Sequence, residues 1–244
     1  MANWSDPRTT AAPHPGTIGR EGVAFDAGLR SYMLSVYNYM ASGVLLTGIV
    51  ALLFANSGYA ATILGGPGIL KYVIMFSPLA FVMVLSFGIN RLSTGTAQLL
   101  FWLFATVMGL SMASIFLVFT GESIAMTFFA TAAGFAGLSL WGYTTKKDLS
   151  GFGTFLIMGV VGLLVAMIIN MFVQSSALQL AISFIGVLLF AGLTAYDTQR
   201  IKSLYFHVAG TDMMGKTVIM GALSLYLDFV NMFTFLLNFM GSRE

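Results

Sequence analysis

Two aspartates in this chain stand where carboxylates are expensive. Asp197 closes a long apolar stretch, 180–196, in the string GLTAYDTQRIK. Asp228 sits near the middle of the last apolar stretch, 217–240, in LSLYLDFVNMFTFLLNFMG. An ionisable side chain inside a membrane span costs several kcal/mol and by default faces the bundle interior with a partner. The two acids are therefore read as partners. Like charges in a low-dielectric site cannot both ionise cheaply, so such a pair holds a proton in common and titrates as a unit. Protonated, it links its two helices; fully ionised, it repels or recruits a cation. That is a proton-biased two-state element.

Other polar groups surround the pair. Ser224, Asp228, Asn231 and Asn238 fall on one face of a helix. Phe235 interrupts that stripe as an apolar plug. A polar stripe on an otherwise apolar helix marks the helix as central to its bundle. The bland reading of the stripe is hydrogen bonding to neighbouring helices. Thr194 shares a face with Asp197, and Arg200 follows it one turn later as a candidate ion-pair partner. Arg91, after the second apolar stretch, is a candidate counter-charge, or simply a solvated helix end. A tight calcium site needs six to eight oxygens. Asp197 and Asp228, supplemented by Asn231, Ser224 and Thr194, fit a weak, transient calcium site better. Asn170 reads as a helix–helix hydrogen bond and Glu122 as a solvated turn acid.

The elements that must hold these residues follow from composition. Of 244 residues, 58% are hydrophobic and only 8% charged, against about 25% charged in a soluble domain. Mean hydropathy is +0.90. A polytopic all-α membrane protein is the fitting class, because the apolar runs are near twenty residues, not the alternating tens of a β-barrel. Spans are expected at 31–55, 72–90, 97–119, 123–143, 154–173, 180–196 and 217–240, with Pro78 as a possible kink site and 56–68 as a loop. Residues 1–27 read as a disordered cytoplasmic tail and 28–241 as one seven-helix domain. The tail lacks an apolar signal-peptide core. Nine of the eleven basic residues fall on the N-terminal side of this topology. The positive-inside rule then places the N-terminus in the cytoplasm and the C-terminus outside.

Composition also excludes. There is no cysteine, hence no disulfide or thiolate chemistry, and the two histidines lie outside the apolar runs. A net charge of +2 gives no footing for nucleic acid. No organic cofactor is implied. Two acids on late spans superficially suit an intramembrane aspartyl protease. Such enzymes carry Gly-x-Gly-Asp at the second acid, whereas this chain has Leu225-Tyr226-Leu227-Asp228, and no proline follows residue 229. The chain is expected not to be an enzyme.

The strings GLTAYDTQRIK, LSLYLDFVNMFTFLLNFMG and TTKKDLSGFGTFL together resemble the Bax inhibitor/YccA-like family, also called the transmembrane Bax inhibitor motif family, over about 28–241. The resemblance implies a seven-helix bundle with the last helix at its centre. It implies that Asp197 and Asp228 match the family's paired aspartates, the pH sensor of a calcium leak. Arg91 is the nearest match to an arginine that latches onto that pair. An acid found within the second span of some members is absent here. The resemblance points to the bacterial branch and the inner membrane. Some bacterial members look like regulators of membrane-bound proteases, which is the alternative reading, with a membrane protease as partner beside the lipid bilayer.

Overall fold

The computed structural model describes the backbone from Pro15 to Arg243 and side chains from Asp26 onward. The expected disordered tail falls partly on residues 1–14, which lie outside the described residues. From Pro15 the chain is already helical. Proline is tolerated at the first helical position, where its missing N–H has no partner to lose.

Eight α-helices follow in order. They are α1 (Pro15–Asn56), α2 (Tyr59–Leu64), α3 (Leu70–Gly88), α4 (Thr94–Met112), α5 (Gly121–Thr144), α6 (Ser150–Val173), α7 (Ser176–Val208) and α8 (Met214–Met240). All but α2 are long and apolar enough to cross a membrane, seven in total. The chain is thus a polytopic integral membrane protein. The loop expected at 56–68 contains the short helix α2. The third span ends in a 3-10 turn, Ala113–Leu117, where a continuous helix was expected. Pro78 lies inside an unbroken α3.

Local sequence explains the boundaries. Ser93, Thr120 and Ser175 cap α4, α5 and α7, each accepting a hydrogen bond from a backbone N–H three residues on. Before α6, the side chain and backbone N–H of Ser150 hold the exposed Asp148 carboxyl below its usual range. Gln174 takes a left-handed conformation, φ 53°, and ends α6. Asn170 secures that turn: its Oδ1 accepts from Ser175 N–H at 3.0 Å, and its Nδ2 donates to Gln179 at 3.0 Å.

The bundle is built around α8. In its most apolar stretch 72% of the residues are buried, against 33% or fewer in every other span. It packs on α7, α1, α5 and α4; α3 leans on α4 from outside and α6 on α7. Close approach is set by small residues. A Cβ on Gly142 of α5 would strike the backbone of Ala195 in α7, at 2.3 Å from its carbonyl oxygen. One on Gly153 of α6 would strike the Tyr196 ring.

A buried polar node ties α8 to the opposite side. The Thr47 hydroxyl donates to the Ala105 carbonyl at 2.8 Å, and Tyr226 O–H meets Thr47 Oγ1 at 2.6 Å. With Thr47 committed to the carbonyl, Tyr226 is the donor between them. The two ends of this node are unequal. Tyr226→Phe removes one bond and leaves Thr47 satisfied, which is expected to cost about 1 kcal/mol. Thr47→Val strands a buried phenol and is expected to cost more, about 1–3 kcal/mol. Thermal unfolding of the two variants in detergent checks the order, and a larger loss for Tyr226→Phe would contradict it.

Candidate functional site

Whether Asp197 and Asp228 can meet depends on how α7 and α8 are paired. From sequence, Asp197 stands near a helix end and Asp228 lies deep. The structure resolves this by length: α7 does not stop at Asp197 but continues to Val208. About three turns, some 16 Å at 1.5 Å per residue, follow the acid. Those turns are held down by packing. Ile201 and Tyr205 are buried, and the Tyr205 ring lies 5.3 Å from that of Tyr32.

The antiparallel hairpin of α7 and α8 is registered at two points. Ile201 lies against Gly221, and Phe190 stacks on Phe235 at 5.8 Å. Asp197 and Asp228 both fall in the interval between these contacts. They are close enough for the Asp197 charge to act on Asp228. No hydrogen bond joins them among the described residues.

Their surroundings differ. Asp228 is only 4% exposed. Its Oδ2 is fully buried with no hydrogen-bond partner. Asp197 is half-buried and feels the attraction of Arg200 one turn away. Arg200 itself is exposed and forms no ion pair with it among the described residues. Arg91 is not brought to the pair. It is exposed in the turn after α3, with its backbone N–H bonded to Gly88 O at 2.9 Å. α3 packs chiefly on α4, and no ion pair joins Arg91 to either acid among the described residues.

The polar stripe of α8 takes a definite form. Ser224, Leu227, Asn231, Thr234 and Asn238 are half-buried. Between Leu225 and Leu237 the remaining residues, Leu236 apart, are buried. The spacing of three and four makes one continuous line past Asp228. Thr234 belongs to this line, although the sequence reading left it out. Phe235 does not plug the line; it turns away to stack on Phe190 and cover Gly186.

The stripe does not glue helices together. Asn231 Nδ2 donates to Leu227 O at 2.8 Å, Thr234 Oγ1 to Val230 O at 2.7 Å, and Asn238 Nδ2 to Thr234 O at 2.8 Å. Every one of these bonds stays within α8. Ser224 has no side-chain bond among the described residues. One N–H of each amide and the Thr234 hydroxyl proton are thus used within α8, and the amide oxygens of Asn231 and Asn238 accept from no protein donor among the described residues. The line offers free amide and hydroxyl oxygens, the ligands a hard cation takes, beside a second N–H on each amide. The described residues hold no group of three or more His, Cys, Asp or Glu that could grip a metal. Thr194, fully buried, is occupied with the Phe190 carbonyl at 2.8 Å.

Hydroxyls on the other side of α7 were not anticipated. Tyr37 O–H meets Ser139 Oγ at 2.5 Å, and Ser139 meets Thr198 Oγ1 at 2.9 Å. Thr198 in turn donates to Thr194 O at 2.7 Å. This chain links α1, α5 and α7 beside Asp197. The only sequence signal was Thr198 following the acid. Below it, Lys202 Nζ donates to Tyr143 O at 2.7 Å and rests on the Tyr143 ring.

With this geometry in hand, similarity to known proteins is informative. The family described as inhibitor of apoptosis-promoting Bax1 matches residues 29–244. A Rickettsia prowazekii protein is 46% identical over 231 residues, 93% of this chain and 96% of its own length. A Caulobacter vibrioides protein is 46% identical over 236 residues, 92% and 94% of the two chains. The inner membrane protein YbhL of Escherichia coli is 45% identical over 220 residues, 89% and 94% of the two.

A buried carboxyl oxygen without a donor, beside a second acid, weakens the fold it sits in. Asp228→Asn removes the ionisable charge at nearly constant shape. It is therefore expected to stabilise the purified protein by about 1–3 kcal/mol near pH 8. The gain should be smaller near pH 5 than near pH 8, because acid favours the neutral carboxyl. Thermal unfolding at both pH values checks this. A variant less stable than wild type at both would mean that Asp228 is a structural bond.

Proposed function

The chain belongs to the Bax inhibitor family, and on that footing we propose that it is a non-enzymatic, pH-sensitive cation leak of a bacterial inner membrane, with calcium as the passing ion. The inner-membrane placement rests on the likeness to YbhL. The end bearing Arg30, Arg91, Lys146, Lys147, Arg200, Lys202 and Lys216 is cytoplasmic by the positive-inside rule.

The observation that carries this reading is the orphaned Oδ2 of Asp228, set on a line of free acceptor oxygens down the most buried helix of the bundle. A buried polar group left unpaired costs about 1–3 kcal/mol, a cost that a proton or a bound cation would relieve. The mechanism follows from the charges. With a proton between them, Asp197 and Asp228 coexist without full repulsion, and α7 stays packed on α8. When the proton leaves, two like charges share one low-dielectric interval. Either they part or a cation enters. A divalent ion there meets two carboxylates and, one turn further along α8, the amide oxygen of Asn231. It then has Thr234 and Asn238 as further oxygen contacts toward the outer end. That ligand set is too sparse for storage and suits passage.

Calcium flux into liposomes carrying the purified protein tests the reading. Wild type is expected to conduct with a rate that changes between about pH 6 and about pH 8, as a pair that titrates as a unit requires. Asp197→Asn and Asp228→Asn are each expected to flatten that dependence, and Asn231→Leu to lower the rate at every pH. No flux above protein-free liposomes at any of these pH values would overturn the proposal.

A further inference from the structure

The side of α8 that carries Phe229 meets a different feature. α1 and α5 flank it without packing along their lengths, joined by the Tyr37–Ser139 bond. Between them runs a seam of three cavities. At the basic end a cavity of 570 Å³ is bordered by Asp26, Arg30, Tyr37 and Tyr143, over a floor of Met33 and Phe135. Phe135 continues into a second of 350 Å³, which reaches Phe128 and Phe229. Phe128, Phe229 and Val44 continue into a third of 300 Å³, ending near Phe116 and Gly121. From Arg30 to Ala51 the seam follows about 31 Å of helix, the thickness of a hydrocarbon core. Beyond its mouth at Asp26 and Arg30, no charged residue lines it.

The mouth has a specific charge pattern. Asp26 and Arg30 are one turn apart on α1, both exposed, and no ion pair joins them among the described residues. A carboxylate and a guanidinium side by side complement a zwitterion: Arg30 for a phosphate, Asp26 for a primary ammonium. The two tyrosines behind them sit where amphipathic rings favour the membrane interface. A plain annular lipid would touch only the outer faces of α1 and α5. Here the seam opens onto Phe229, the residue next to Asp228 on the central helix.

We infer that this seam is a phospholipid site that takes a phosphoethanolamine headgroup at Asp26 and Arg30, with one acyl chain lying between α1 and α5 against Phe135, Phe128 and Phe229. The lipid belongs to the leaflet at the basic end. Its chain packs against the helix that carries the acid, so lipid occupancy bears on α8 itself. This site stands apart from the leak reading, and its test does not use flux.

The full-length protein, delipidated in detergent, is titrated with phosphatidylethanolamine, phosphatidylglycerol and phosphatidylcholine of equal chain length. Binding is read by native mass spectrometry and by the rise in unfolding temperature. Phosphatidylethanolamine is expected to bind most tightly. Arg30→Gln should weaken it about ten-fold, the loss of one charge-assisted contact. Asp26→Asn should shift the preference to phosphatidylglycerol. Ala136→Trp, placed in the wall of the first cavity, should abolish binding; unfolding temperatures of all variants without lipid confirm that they fold. Equal binding of all three lipids, insensitive to these changes, would mean an annular shell and overturn the site. A wild-type preference for phosphatidylglycerol would also overturn it. So would glycerophosphoethanolamine binding as tightly as the lipid, since that would make the headgroup alone the ligand.

Discussion

The constraint on which the structure turns is one buried carboxyl oxygen. Asp228 Oδ2 lies in the most enclosed helix of the bundle, with no donor from protein and a second acid within reach of its charge. Folding cannot relieve that by rotation, because the neighbouring residues of α8 are buried too. The relief has to come from a proton or a cation. The rest of the bundle serves to hold this arrangement in place. α7 is long enough to carry Asp197 inward, and Gly142 and Gly153 let α5 and α6 press against it. The Thr47–Tyr226 node fixes α8 from the other side.

The two flanks of α8 are built differently. Toward its polar line, Asn231, Thr234 and Asn238 each donate one bond to their own helix and keep side-chain oxygens free. Toward Phe229, the surface is apolar and opens into the seam between α1 and α5. One helix thus presents an oxygen-bearing line on one side and a lipid-compatible face on another, with Asp228 beside Phe229. Any shift of α8 is felt on both.

Much of this was legible in the sequence because apolar run length is a strong signal. The seven spans, the all-α class and the centrality of the last helix follow from hydropathy and from a polar stripe with helical spacing. The lengths of the helices beyond the apolar runs were harder to read. Residues 198–208 are polar and basic and look like a loop. They stay helical because Ile201 and Tyr205 pack on Gly221 and Tyr32, contacts that no local pattern encodes. That extension decides whether Asp197 can lie opposite Asp228. The same limit hid the hydroxyl chain from Tyr37 to Thr198, whose members lie on three helices. Thr234 was overlooked for a different reason. It completes a regular three–four spacing, but the neighbouring Phe235 looked like the occupant of that position. Arg91 was placed by its position at a span end, and it is exposed in the turn there.

The central claim is that a proton and a cation compete for one pair of carboxyls. Proton release on calcium addition tests it most directly. In weakly buffered solution near neutral pH, calcium added to the purified wild-type protein should release protons, and Asp228→Asn should release none above the added-salt control. Release of the same size from the variant, or calcium passage in wild type with no release at all, would contradict the account.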